Sequence, residues 1–340
     1  MKKIVFNTFK YLLFFAIGVL IFWALYRELE WENLKAALRH LNYFLIFLSV
    51  TFSVLAHVSR AFRWNMLIRP MGYKPRTWNT FLSILVLYFV NLIVPRAGEV
   101  ARCTVLSQTD RIPFAKLLGT VIVERVADFL MLILLSIIIF AMNFSVVVDF
   151  FNEQLDVQAK INALLHGKLL VMAVIFLLVL IVGSYFGLKR IKKTSFWGKI
   201  IHLKDQFVEG IKTIAHMKHK WLFILHTCTI FFLWLIMLYV VFLAFKPTSH
   251  LTLRDGMLVF LMGGLAMLAP VQGGIGPWHF MVYKSLEVFF HIAEDDGKIF
   301  AAVAHTSTNL IYLMIGGLAL AYLIFKYGKN KIRLTQPTGQ

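Results

Sequence analysis

The chain has 340 residues, 59% of them hydrophobic and 32 of them Phe, with a formal net charge of +18 and a mean hydropathy of +0.75. A soluble chain of this size is usually about half apolar, so the composition excludes a soluble enzyme and points to a polytopic membrane protein of the cell (inner) membrane. The charge does not indicate a nucleic-acid partner, because Lys and Arg fall between the apolar runs, as in cytoplasmic loops beside anionic lipid.

In chain order, Met1-Lys2-Lys3 opens an apolar run over residues 5–25. The run has no small-x-small cleavage site, and Trp23, Tyr26 and Trp31 follow it, so it reads as an uncleaved first span and not as a signal peptide. Residues 28–41 form a short amphipathic stretch suited to the interface. A second span over 43–59 carries Arg60, Arg63 and Trp64 at its cytoplasmic end, a set suited to phosphate head groups. Residues 79–94 are apolar but too short for the ~17–25 residues that cross a bilayer, and they run into Pro95-Arg96-Ala97-Gly98-Glu99 and a more polar helix over 97–109. Spans follow over 117–142 and 168–187, then a basic amphipathic block over 188–220 on the inner leaflet and a span over 221–245. Residues 256–269 are again short and run into Pro270-Val271-Gln272-Gly273-Gly274-Ile275-Gly276-Pro277, then a helix over 277–292. The last span covers 300–326, ahead of a basic tail at 331–340. Cys103 and Cys228 stand far apart and read as two buried thiols, with no metal-ligand spacing.

Two topologies fit: eight spanning helices, or six full spans plus two re-entrant helical hairpins at 79–109 and 256–292. With two hairpins, 25 Lys and Arg fall on one side of the membrane and nine on the other. If the first hairpin spanned alone, the basic 188–220 block would face outward. The positive-inside bias therefore favours six spans with both termini cytoplasmic. The expected fold is an all-α integral membrane domain over 1–340, with one repeat over about 1–165 and an inverted copy over about 168–330. Paired, Gly/Pro-interrupted short segments in matching positions point to a transporter's midplane site.

The candidate site residues follow from these breaks. After Pro95, a new helix presents free N–H groups and the positive end of its dipole to an anion, with Arg96 adding a full charge. Asn91 and Gly98 flank that turn, and Glu99 and Arg102 share a face at i, i+3. Glu124, Arg125 and Asp128 lie inside a span, where charges must face the bundle interior, and are assigned to gating or coupling or to a structural ion-pair lock. Gln272, Gly273, Gly274 and Gly276 can form an anion-binding nest, and His279, one turn into the next helix, could donate to a phosphate. No P-loop, His-Glu-x-x-His or Gly-x-Ser-x-Gly motif is present, so neither ATP hydrolysis nor those two chemistries is encoded. No cofactor or metal is expected.

Arg60-Ala61-Phe62-Arg63-Trp64, the Pro-x-x-Gly-Glu-x-x-Arg run from Pro95 to Arg102, the Glu-Arg-x-x-Asp run from Glu124 to Asp128 and the late glycine block occur in that order. In this the chain resembles the lysylphosphatidylglycerol synthase transmembrane family, also described as flippase-like membrane proteins. The resemblance covers most of the chain and implies a membrane domain that moves a lipid between leaflets. In the bifunctional namesakes a soluble aminoacyl-transferase domain follows the membrane part. Here a short basic tail follows, so synthase activity is not expected. The family's glycine block is usually followed by Glu, where this chain has His279.

Three functions remain open. The first is a flippase-like transporter for an anionic or isoprenoid-phosphate-linked lipid, not driven by ATP. The second is a membrane enzyme acting on lipid head groups, with Glu99, Asp128 and His279 as acid and base. The third is a non-catalytic partner of a lipid- or glycan-synthesis enzyme.

Overall fold

The computed structural model describes residue 16, residues 18–146, residue 208, residues 210–269 and residues 271–333. The expected span at 168–187, most of the basic block at 188–220, the start of the first span and most of the basic tail lie outside the described residues.

The described chain is helical. A helix over 18–26 (α1) leads to Trp31–Arg39 (α2) and Tyr43–Ile68 (α3). Thr77–Ile93 (α4) and Gly98–Asp110 (α5) follow, then Phe114–Met142 (α6). In the second half come Lys220–Ala244 (α7), Leu253–Ala266 (α8), Pro277–Phe290 (α9) and Glu294–Arg333 (α10). Among the described residues, four helices are long and apolar enough to cross a membrane: Tyr43–Met71, Phe114–Met142, Lys220–Ala244 and Glu294–Tyr327. The chain is an all-α, multi-pass membrane protein.

Local chemistry sets the helix ends. The Asn42 side chain accepts from the Leu45 N–H at the start of α3, and Thr252 and Asp255 form a reciprocal capping box on α8, each satisfying donors that the first turn leaves free. α4 stops at Val94, which is extended ahead of Pro95 because the proline ring disfavours helix in the residue before it. Pro277 occupies the first turn of α9, where its missing N–H costs nothing. One boundary differs from expectation. The helix of the second span continues past residue 59 to Ile68, because Arg60, Arg63 and Asn65 are buried with partners inside the helix bundle.

α3 and α7 pair antiparallel along their length. The Asn42 N–H donates to the Ala244 carbonyl at 3.1 Å, Ser49 to the Met237 carbonyl at 2.8 Å, and Arg63 to Thr227 at 3.1 Å. α4 pairs antiparallel with α10: Asn79 meets Tyr327 at 3.2 Å, and Gly316 faces Leu85 and Phe89. α8 packs on α6 through Leu258 and Leu261 against Ile139. Among the described residues each half therefore reads long helix, hairpin, long helix, and each hairpin touches the last long helix of the other half. α3 and α7, the first long helices described in the two halves, run in opposite senses.

The hairpins return to where they start. At the base of the first, the Asp110 carboxylate accepts from the Arg76 N–H and from Asn79, both at 2.9 Å. Asn79 also reaches Tyr327, so the ends of α4, α5 and the span in α10 meet at one pole. At the opposite pole Leu41, Leu251, Ile292 and Ile299 share a core, and Tyr26 donates to the Lys298 carbonyl at 2.9 Å. Asp110→Ala removes the acceptor of the Arg76 N–H, the Asn79 amide and the Thr109 hydroxyl, of which Asn79 keeps Tyr327. It should lower stability by about 1–3 kcal/mol, seen as an earlier thermal unfolding midpoint in detergent. An unchanged midpoint would mean that the base of the hairpin is held by packing alone.

The cysteine reading is half corrected. Cys103 is buried, but Cys228 is exposed on α7. The lipid-facing side of a span is as apolar as its core side, so hydropathy did not separate the two.

A buried charge network beneath the first hairpin tip

Seven of the expected site residues converge in one place. α3 brings Arg60 and Arg63, α5 brings Glu99 and Arg102, and α6 brings Glu124, Arg125 and Asp128. Glu124 is the hub and is 0% exposed, taking Arg60 at 2.8 Å, Arg63 at 2.9 Å and Arg102 at 2.7 Å. Asp128 joins Arg63 at 2.7 Å and Arg125 at 2.8 Å. Glu99 binds Arg102 at 2.7 Å, with Arg125 at 3.6 Å and Arg60 at 3.8 Å.

Neighbouring side chains fix the geometry. The Arg102 guanidinium lies 4.3 Å over the Trp64 ring, and Trp64 donates to Thr120 at 2.8 Å. Arg60 also donates to the Tyr88 hydroxyl at 2.6 Å. Arg60 and Arg63, expected beside head groups at a span's end, lie instead in the interior. The open side of the network is formed by Arg125, 44% exposed, and Glu99, 25% exposed.

The network holds four guanidinium groups against three carboxylates, an excess of one positive charge. Several buried nitrogens have no hydrogen-bond acceptor, Arg60 Nη2, Arg63 Nε, and Arg102 Nε and Nη1, and two carboxylate oxygens, Glu99 Oε2 and Asp128 Oδ1, meet their arginines as ion pairs without a hydrogen bond. Buried charges are normally paired and hydrogen-bonded, so this surplus suits an anion.

The tip above the network is tightly built. The Gly98 N–H is taken by Asn91 Oδ1 at 2.8 Å, so one of the free N–H groups expected to hold an anion is occupied by the protein itself. Arg96 is exposed and adopts a left-handed φ of 62°, which is unfavourable for a residue with a side chain. From there it donates to the Leu268 carbonyl at 3.1 Å, joining the tip of one hairpin to the tip of the other.

The glycine block forms a separate centre. Gly273, Gly274 and Gly276 have φ of 55°, 78° and 91°, conformations open to glycine. At Gly276 a β-carbon would also stand 2.9 Å from the Gly18 carbonyl of α1. Two N–H groups of the expected nest turn inward: Ile275 donates to the Gln272 carbonyl at 3.0 Å, and Gly276 faces His279 Nδ1 at 3.3 Å. Gln272 and His279 are buried. The His279 ring packs edge-on to Phe22 and Tyr26 and sits 4.4 Å from His305. His305 in turn bonds the Gly273 carbonyl at 2.8 Å.

Several residues outside the expected set complete the two centres: His57, Tyr88 and Thr227 at the network, and His305 and Asn309 at the glycine block. Their one sequence signal was polarity inside an apolar run. Among the described residues, no three His, Cys, Asp or Glu side chains converge to hold a metal ion.

The network draws on the residues that carried the family resemblance, and the comparison with known families agrees. The lysylphosphatidylglycerol synthase TM region matches residues 11–316. The chain belongs to this family. A UPF0104 membrane protein of Methanocaldococcus jannaschii is 33% identical over 108 residues, which is 31% of this chain and 32% of that protein. The chain thus spans about a third of the length of the curated relative it matches. No solved structure counts as a match to the chain. Membership ties the protein to lipid metabolism or transport in a membrane.

Proposed function

We propose that the protein is a flippase-like transporter that moves an anionic, phosphate-bearing lipid between leaflets without ATP. In this reading it has six full spans in the cell membrane and both termini in the cytoplasm. The observation that carries it is the surplus of one positive charge, with Arg125 on the open side of the network and buried guanidinium N–H groups behind it left without acceptors. A lipid phosphate supplies the missing negative charge and the missing acceptors together. It reaches them from the open side at Arg125 and Glu99, beside the Arg96 contact between the two tips. An ion gradient or downhill exchange supplies the driving force.

A head-group enzyme is less well supported. Glu99 and Asp128 are each ion-paired, and His279 belongs to the other centre. A scaffold for a lipid- or glycan-synthesis enzyme has one observation in its favour. Glu124 is enclosed among three arginines, as a purely structural lock would be.

Lipid analysis of protein purified in mild detergent separates transporter from scaffold. The wild type should carry one phosphate-bearing lipid enriched over bulk. Arg125→Ala removes the surplus charge at the most exposed arginine and should reduce that enrichment roughly tenfold, as for loss of one charge-assisted contact. Arg96→Ala should do the same without loss of fold. Equal bulk lipid in all three would bring the scaffold reading forward.

A further inference from the structure

His57 lies in the middle of α3 and is 0% exposed, yet neither ring nitrogen has a hydrogen-bond partner. An imidazole can fill an apolar gap, but two unpartnered polar atoms are costly when fully enclosed. The ring is held by Tyr88 of α4 at 4.2 Å and Tyr312 of α10 at 5.2 Å between ring centres. Each tyrosine is fixed from behind. Tyr88 accepts from Arg60 at 2.6 Å, and Tyr312 shares a 2.7 Å hydrogen bond with Ser53. The charged group facing His57 on its own helix is Arg60, one turn on. Behind Arg60 stand Glu99 of α5 and Glu124 of α6. α7 contributes His226, which bonds Ser59, on the other face of α3.

We propose that His57 is a proton site coupled to the anion site, so that lipid anion and proton cross together. This rests on the transporter reading above. With the network empty, its charge is +1, and a proton on His57 would raise the local total to +2. A bound monoanion cancels the surplus, so that a proton added to the ring restores the total to +1. The step forms one N–H bond on the imidazole with a proton taken from water, and the same bond breaks when the anion leaves. Because the ring is enclosed by α4 and α10, it meets water only when one of them shifts. Proton exchange is thereby confined to the step in which the hairpin moves against α10.

Two measurements test this. First, detergent-solubilised protein is titrated with dihexanoyl phosphatidylglycerol, which carries a single negative charge, in two buffers of different ionisation enthalpy. The wild type should take up about one proton per lipid bound. His57→Gln and His57→Phe, the second keeping an aromatic ring between the tyrosines, should bind lipid with no proton uptake. Second, in phosphatidylcholine vesicles holding labelled phosphatidylglycerol, a pH step should drive the label toward the alkaline leaflet with the wild type. With either variant the label should equilibrate without bias. Lipid movement by the wild type with no proton uptake overturns the coupling and leaves the transporter reading standing. Proton uptake unchanged in both variants overturns the assignment to His57. Neither binding nor movement by the wild type overturns both readings.

Discussion

Glu124→Gln is expected to lose about 3–5 kcal/mol of stability, the cost of breaking a buried ion pair by removing one partner. The substitution keeps the shape of the side chain and removes its charge. Arg60, Arg63 and Arg102 then share a buried site with one carboxylate fewer, and the surplus rises from one positive charge to two. Since these arginines sit on α3 and α5 while Glu124 sits on α6, the loss should appear as separation of α6 from the first hairpin. Recovery of monodisperse protein after stepwise heating in detergent is the direct readout. Adding Arg63→Met should restore part of the loss, because it removes one of the stranded charges, and the interaction term of that double-mutant cycle should fall within about 0.5–3 kcal/mol. A single variant as stable as the wild type would mean that packing alone joins these helices.

Gly98→Ala should disable the site at a smaller cost in stability, about 1–3 kcal/mol for overpacking. A β-carbon there would run into the Leu87 carbonyl of α4, and would stand 2.7 Å from Asn91 Oδ1. The side chain of Asn91 can turn aside only by giving up its bond to the Gly98 N–H, and the Leu87 carbonyl is backbone and stays. The two legs of the hairpin must spread, and α5 carries Glu99 and Arg102 away from Glu124 with it. The expected result is folded protein with little of the enriched lipid. Gly119→Ala is the control, because nothing lies within 4 Å of a β-carbon at that position. If both variants hold lipid equally, the close approach of α4 and α5 does not position the network.

Much of the architecture was legible in the sequence because chain breaks are local. Pro95 forces the residue before it out of helix and the glycines from Gly273 to Gly276 permit a tight turn, and the structure turns the chain at both places. Pairing at short spacing was legible for the same reason: Glu99 with Arg102 and Arg125 with Asp128 meet as their i, i+3 positions require. What depends on a distant partner was not legible. Arg60 and Arg63 look like residues leaving the bilayer until Glu124, from another helix, accounts for their burial. The N–H groups of Gly98 and Gly276 look free until Asn91 and His279 are seen to face them. A single histidine in an apolar run gives no sign of what surrounds it, so His57 became visible through Tyr88 and Tyr312 alone.

The two halves of the molecule share a plan but not a chemistry. All seven ionisable members of the network come from α3, α5 and α6. The matching helices of the second half offer Thr227, His279, His305 and Asn309 instead. An architecture with two-fold symmetry would by itself treat passage in either direction alike. The guanidinium groups thus stand on one side of that plan, and hydroxyl, imidazole and amide groups stand at the matching places on the other. In the transporter reading proposed above, the two halves would therefore act unequally on a crossing anion, one holding it and the other letting it go, while the gradients set the net direction.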